Sequence, residues 1–288
     1  VLVIAGPRLE LPEATLAAID SFLVRGGAVL ALLDPGTPAG LAEWCRRYGL
    51  VPEGDVLISR DRANEQFGVS ARTITAYGEE HYGRHPITRG LAGVVTLFPL
   101  AQSLTPVPPE VRGVDGFAFL MTGSQAWSER DPTEQFGGRL RFDPGHDRPG
   151  PLPFGFALEI DRNAIGSVAA PDLRRPDAVR RHEPPESNRK ASVFDTGHAA
   201  RLVMIGNSEF ATNANLGLYG NRDLLLNIMG WLAREELLID IRGRDLTSQP
   251  VVLRQDQKEL LGWSCVVGWP LAVGVGSLVL VLRHRRKG

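Results

Sequence analysis

"RLVMIGNSEFATNANLGLYGNRDLLLNIMGWLAREE", running from Arg201 to Glu236, decides how this chain is read. An apolar run, LVMI, stops at Gly206. Two polar turns follow, GNSEFATN and YGNRD. Leu224, Leu225, Ile228 and Leu232 then recur at helical spacing. A short apolar run closed by a turn is the mark of a strand buried on both faces, and a helix directly after it is the repeating unit of α/β proteins. Ser208 is the expected N-cap of a short helical turn and Asn221 that of the longer helix. Asp223 lies in the first turn of that helix, where the dipole favours a carboxylate. The two turns suit helix capping, and they also suit the wall of a strand-end pocket.

The same alternation appears at the start of the chain. Val1 to Ala5 is a continuous apolar strand ended by Gly6-Pro7. In LPEATLAAIDSFLVRGG, the residues Leu16, Ile19, Phe22 and Leu23 keep a helical period, with Pro12 at its entry and Gly26-Gly27 as its stop. AVLALLDP is a second apolar strand, closed by Asp34-Pro35, and AGLAEWCRRYGL reads as the next helix. Between Val51 and Pro109 the pattern breaks into short strands and turns. GFAFLMTGS and FGFALEI read as further strands, separated by a polar, Gly- and Pro-rich excursion. Residues 171–190, dense in both charge signs, read as a solvated loop. An apolar strand at the very first residue leads us to expect sequence upstream of it, a membrane anchor or a first strand and helix.

These strands predict an open α/β sheet, and such sheets bind ligands beyond the carboxyl ends of their strands. The residues placed there are Gly6, Pro7, Asp34, Thr122, Ser124, Asn207, Ser208 and Glu209. They form the candidate ligand site, rich in Asn, Ser, Thr and carboxylates. No catalytic set emerges. Ser124 lacks the G-x-S-x-G elbow of a nucleophile, and Ser124, Asp195 and His198 can be combined only on paper. Cys45 falls in a helical pattern and reads as core. Asp143, His146 and Asp147 crowd into FDPGHD, a spacing a metal could use, but a polar turn accounts for them. No Walker loop is present. We therefore expect no enzyme activity, no metal and no cofactor. The 32 basic and 33 acidic residues leave a formal charge of −1, which argues against nucleic-acid binding.

LGWSCVVGWPLAVGVGSLVLVL, from Leu261 to Leu282, carries no charge, and a run of ~20 such residues can cross a bilayer. The reading is a transmembrane helix at 259–282, a juxtamembrane connector at 237–258 and a basic cytoplasmic tail at 283–288. The domain at 1–236 is then extracytoplasmic, and the chain is expected in the inner membrane, in contact with lipid.

GPRLELPEATLAAIDSFLVRGGAVLALLDP, HPITRGL with TLFPLAQSL, and the stretch from Arg201 to Arg242 together resemble the GldG-like auxiliary proteins of ABC-type transport systems. The resemblance covers nearly all of the chain. It implies a flavodoxin-like, class I glutamine-amidotransferase-like sheet without catalytic residues, a domain type shared with an intraflagellar transport protein. It also implies a non-enzymatic accessory subunit whose partners are an ABC permease and a separate ATPase. A cell-surface module binding a carbohydrate ligand in the strand-end crevice is the alternative, and a hydrolase or amidotransferase is a third reading.

Overall fold

The computed structural model describes residues 1–107, 111–131, 135, 140–162 and 199–235, with the isolated positions 270 and 274. Strand β1 (Leu2–Ala5) leads through helix α1 (Glu13–Val24) to β2 (Ala28–Leu32) and α2 (Ala39–Arg47). Short elements follow: β3 (Leu50–Pro52), β4 (Val56–Ser59), α3 (Arg62–Phe67), β5 (Thr73–Ala76), β6 (Thr96–Pro99) and β7 (Leu104–Pro106). Then come β8 (Val114–Met121), β9 (Ala126–Glu129), β10 (Arg148–Pro149), β11 (Pro153–Asp161), β12 (Ala199–Ile205) and α4 (Asn221–Leu232).

The main sheet has five strands in the order β1-β2-β12-β11-β8. β2 pairs in parallel with both β1 and β12, but β11 runs antiparallel to β12 and to β8. Three small antiparallel sheets accompany it, β10-β9-β4, β3-β7 and β5-β6. This corrects the expected open, mostly parallel, flavodoxin-like or class I glutamine-amidotransferase-like sheet. The parallel part is confined to three strands, and the rest is antiparallel. The reason is physical: FGFALEI is apolar because both faces of β11 are covered, and burial carries no information on strand direction.

The expected membrane character is corrected as well. Among the described residues no helix is long and apolar enough to cross a membrane. The proposed span at 259–282, the connector and the tail lie outside the described residues, apart from positions 270 and 274. The structure therefore lends no support to a C-terminal transmembrane helix or to an inner-membrane location with an extracytoplasmic domain. The loop expected at 171–190 also lies outside the described residues.

Side-chain alternation divides the core into two halves. On one face Val29, Ala31, Leu202 and Met204 meet α1 and α2 through Leu16, Leu23, Leu41 and Trp44. On the other face Leu30, Leu32, Val203 and Ile205 meet α4 and the small sheets through Leu224, Ile228, Ile74 and Phe98. All seven residues of β12 are buried, and each buried Leu, Val or Ile contributes about 1.5–3 kcal/mol. Helix α1 stops at Gly26, whose φ of +84° suits the left-handed turn in which Gly27 N donates to Phe22 O at 3.0 Å. Buried Asp20 clasps α1 to α2. Its Oδ1 accepts from Trp44 Nε1 at 2.6 Å and Tyr48 OH at 2.7 Å, and its Oδ2 meets Arg47 at 3.1 Å.

A second buried carboxylate joins the small sheets. Asp55 accepts from Ser103 N at 2.7 Å and Ser103 Oγ at 2.6 Å, and pairs with Arg148 at 3.3 Å. Arg148 also donates to Thr105 Oγ1 at 2.8 Å. These bonds satisfy a charge that would otherwise be costly to bury.

Candidate functional site

Gly6, Asp34 and Ser208 meet where β1, β2 and β12 end. Asp34 Oδ1 accepts from Ser208 N at 2.7 Å and Oδ2 accepts from Ser208 Oγ at 2.5 Å. Gly6 sits over this pair with φ +52°, and a Cβ there would lie 2.6 Å from both Asp34 Oδ2 and Ser208 Oγ. Only glycine fits a left-handed turn so close to a neighbour. The main chain of Asp34 is held too, its carbonyl accepting from Gln102 Nε2 at 2.6 Å.

Asn207 is fully buried. Its Nδ2 donates to Pro99 O at 2.6 Å, and its Oδ1 accepts from Phe210 N at 2.8 Å. The cap of the 3-10 turn at Glu209–Ala211 thus comes from Asn207, and the hydroxyl of Ser208, expected as the cap, turns to Asp34 instead. The second expected cap is displaced in the same way. Gly220 takes the N-cap position of α4. Asn221 staples the main chain of β6, accepting from Leu97 N at 2.8 Å and donating to Leu97 O at 3.1 Å.

A cavity of about 400 Å³ opens beside this knot, lined by Pro7, Asp34 and Glu209 with Arg8, Pro35, Gly36 and Leu100. Thr122 and Ser124 do not line it. β11 separates β8 from β12, so their loops are set apart. Thr122 is buried and its Oγ1 accepts from Leu152 N at 2.9 Å, whereas Ser124 is exposed. Of the eight predicted residues, the fold thus gathers six around the ends of the parallel strands. Three of these six face the cavity, and the other three brace its wall.

The remaining chemical candidates have structural roles. Cys45 is buried, and desolvation raises its thiol far above the range of a nucleophile. In FDPGHD, Asp143 accepts from Gly145 N at 2.9 Å and meets His146 at 3.2 Å, which together lower its carboxyl pKa. Asp147 accepts from Asp143 N at 2.7 Å, completing a polar turn. Among the described residues no cluster of three or more His, Cys, Asp or Glu side chains could hold a metal. Asp195, His198 and Cys265 lie outside the described residues. A buried imidazole does approach a carboxylate, with His81 Nε2 3.9 Å from Asp61 Oδ2. Ser59 Oγ donates to Asp61 at 2.8 Å, so it is bonded to the acid rather than to the imidazole. Desolvation works against protonation of His81, but the nearby Asp61 carboxylate and the bond to Tyr77 O prevail and raise its pKa.

A larger groove, about 760 Å³, lies at the opposite, amino end of the parallel strands. Register places Arg201 of β12, Glu159 of β11 and Asp115 of β8 in one row across three strands. Arg201 meets Glu159 at 3.3 Å, and its guanidinium lies over the Trp231 ring at 4.5 Å. His85 stacks on Phe117 with ring centroids 5.5 Å apart and meets Trp231 edge-on at 5.1 Å. Its Nδ1 accepts from Ile87 N at 3.3 Å. Burial first, and then the charge of Arg201, lower the His85 pKa to about 4. The ring is therefore neutral at pH 7, with its proton on Nε2. HPITRGL, which contains His85, carries no local pattern that marks a site. Asp115, Glu159 and Arg201 become neighbours only through strand register, so no local motif marks them.

No family model matches the chain, and no curated protein matches it. The description as an ABC-transporter auxiliary protein with a transmembrane helix and a glutamine-amidotransferase-like fold gains no support from these comparisons. Among solved structures, the N-terminal domain of mmIFT52 superposes with a TM-score of 0.48 at 14% identity, covering 80% of this chain and 75% of that one.

Proposed function

We propose that the chain is a non-enzymatic accessory subunit that works by holding a partner. One observation carries this reading: four polar side chains at the strand ends, Asp34, Thr122, Asn207 and Ser208, where an α/β enzyme of this plan keeps its reactive groups, are bonded to the protein itself. Asp34 binds Ser208, Asn207 binds Pro99 and Phe210, and Thr122 binds Leu152. Groups so engaged brace a surface and are not free to act on a substrate. The resemblance of the sequence to GldG-like auxiliary proteins supplies the candidate partners, a permease and a separate ATPase of an ABC-type transport system.

Affinity isolation of the full-length protein from its native cells in mild detergent, with mass spectrometry of what is retained, tests this. Recovery of a permease together with a Walker-type ATPase is the expected result. A preparation containing neither overturns the choice of partner. A hydrolase or amidotransferase predicts turnover sensitive to Ser124→Ala or Cys45→Ala. The burial of Cys45 and the isolation of Ser124 from Asp34 and Asn207 speak against it.

A further inference from the structure

We propose that the groove at the amino end of the main sheet binds a neutral saccharide of one or two rings. Its volume of about 760 Å³ falls within the range of small-molecule sites. Its charges balance. Glu79, Asp115 and Glu159 face Arg84, Arg89 and Arg201, so a ligand of either sign gains no net attraction. Two of the three pairs are already made, Arg84 with Glu79 at 3.7 Å and Arg201 with Glu159 at 3.3 Å. Among the described residues no side chain pairs with Asp115 or Arg89, which leaves one acceptor and one donor facing solvent.

The apolar part of the site is equally specific. Phe117 is 40% exposed and turns that surface into the groove. Gly83 crosses its edge so closely that a Cβ would lie 2.8 Å from the ring. His85 lies nearly parallel to it at an interplanar angle of 24°. Phe117 is thus fixed in place by its neighbours while still offering surface. A pyranose combines an apolar C–H face with a girdle of hydroxyls that both donate and accept. The C–H face suits the aromatic surface. The hydroxyls suit the carboxylates of Asp115 and Glu159, the guanidinium of Arg89 and the Nε2–H of His85. The Arg201–Glu159–Trp231 contacts hold the floor before any ligand arrives, which limits the ordering cost of binding.

The test is saturation-transfer NMR on the full chain with glucose, galactose, mannose, N-acetylglucosamine, cellobiose and lactose as probes. Glucuronic acid and a blocked tripeptide serve as charged and peptide comparators. At least one neutral sugar is expected to show transfer centred on its ring C–H protons. Phe117→Ala and Asp115→Asn are each expected to weaken it at least about tenfold. Glu209→Gln, in the other cavity, is expected to leave it unchanged. Both groove positions are exposed, and unchanged thermal melting of the near-isosteric Asp115→Asn shows that a loss belongs to the site. No transfer from any of the six sugars overturns the proposal. So does transfer indifferent to both groove variants, or preference for glucuronic acid or the tripeptide. The partner-isolation experiment has no bearing on this outcome, so the two readings fail separately.

Discussion

At the carboxyl end of the main sheet Asp34, Asn207, Ser208 and Thr122 are bonded within the protein, whereas at the amino end Asp115 and Arg89 face the solvent. Asp34, Asn207 and Thr122 are each held by other parts of the protein. Asp115, Arg89 and Phe117 stand exposed around a groove nearly twice the volume of the strand-end cavity. The location rule for α/β proteins points to the carboxyl end. Here that rule finds a braced joint, and the open chemistry lies at the opposite end. A polar residue in the expected place is therefore weak evidence of a site until its hydrogen bonds have been counted.

Substitutions that separate a joint from a site sharpen this contrast. The largest effect is expected from Gly206→Ala at the carboxyl end, where a Cβ would fall 2.0 Å from the main-chain oxygen of Gln102. Backbone must move to admit it, and a loss of about 3 kcal/mol or more in chemical denaturation is expected. An unchanged midpoint would show that this end yields easily and is no rigid joint. Asp34→Ala comes next. It strands the N–H and hydroxyl of Ser208 and should cost about 2 kcal/mol, with saccharide binding intact. Loss of binding without loss of stability would reverse the assignment of the two ends.

The groove should show itself through pH. The folded-state pKa of His85 is lowered to about 4 from 6.5, so the unfolded chain takes up the proton first. Its contribution is fully present above pH 6.5 and is lost as pH falls toward 4. Urea midpoints of His85→Gln should therefore fall less than those of the wild type across that window, and parallel curves would remove His85 from the account. His81 acts in the opposite sense. Its pKa is raised, so its contribution is complete below pH 6.5 and fades as pH climbs through the folded value. The smallest effect is expected from Arg84→Ala. Both partners of its pair are mostly exposed, at 85% and 79%, and the change in stability should be about 0.5 kcal/mol or less. A larger loss would mean that the groove rim is built into the fold.

The elements that rest on local period were legible in the sequence. α1 with Leu16, Ile19 and Leu23, β2, β12 and the stripe of α4 all stand where the pattern placed them. The elements that depend on distant partners were not. β11 reads as a buried strand, yet its antiparallel direction follows from pairing with Ile205 and Leu120, which no local pattern encodes. Ser208 and Asn221 read as caps because serine and asparagine favour helix starts. Their actual acceptors, Asp34 and Leu97, stand 174 and 124 residues away. The strand-end gathering of Gly6, Asp34 and Ser208 was foreseeable from topology, but its consumption in internal bonds was not.

The position of β12 bears on how the protein is made. Among the described residues it is the last of the main-sheet strands in sequence, and it occupies the middle of the sheet, flanked by β2 and β11. During synthesis β1 with β2, and β8 with β11, can form as two separate ribbons, each presenting an unpaired edge to the solvent or to a chaperone. They become one sheet only when residues 199–205 leave the ribosome, so closure waits on a long-range event of the slow kind. A stop codon shortly before Ala199 should therefore yield two sticky halves rather than a smaller version of the same domain.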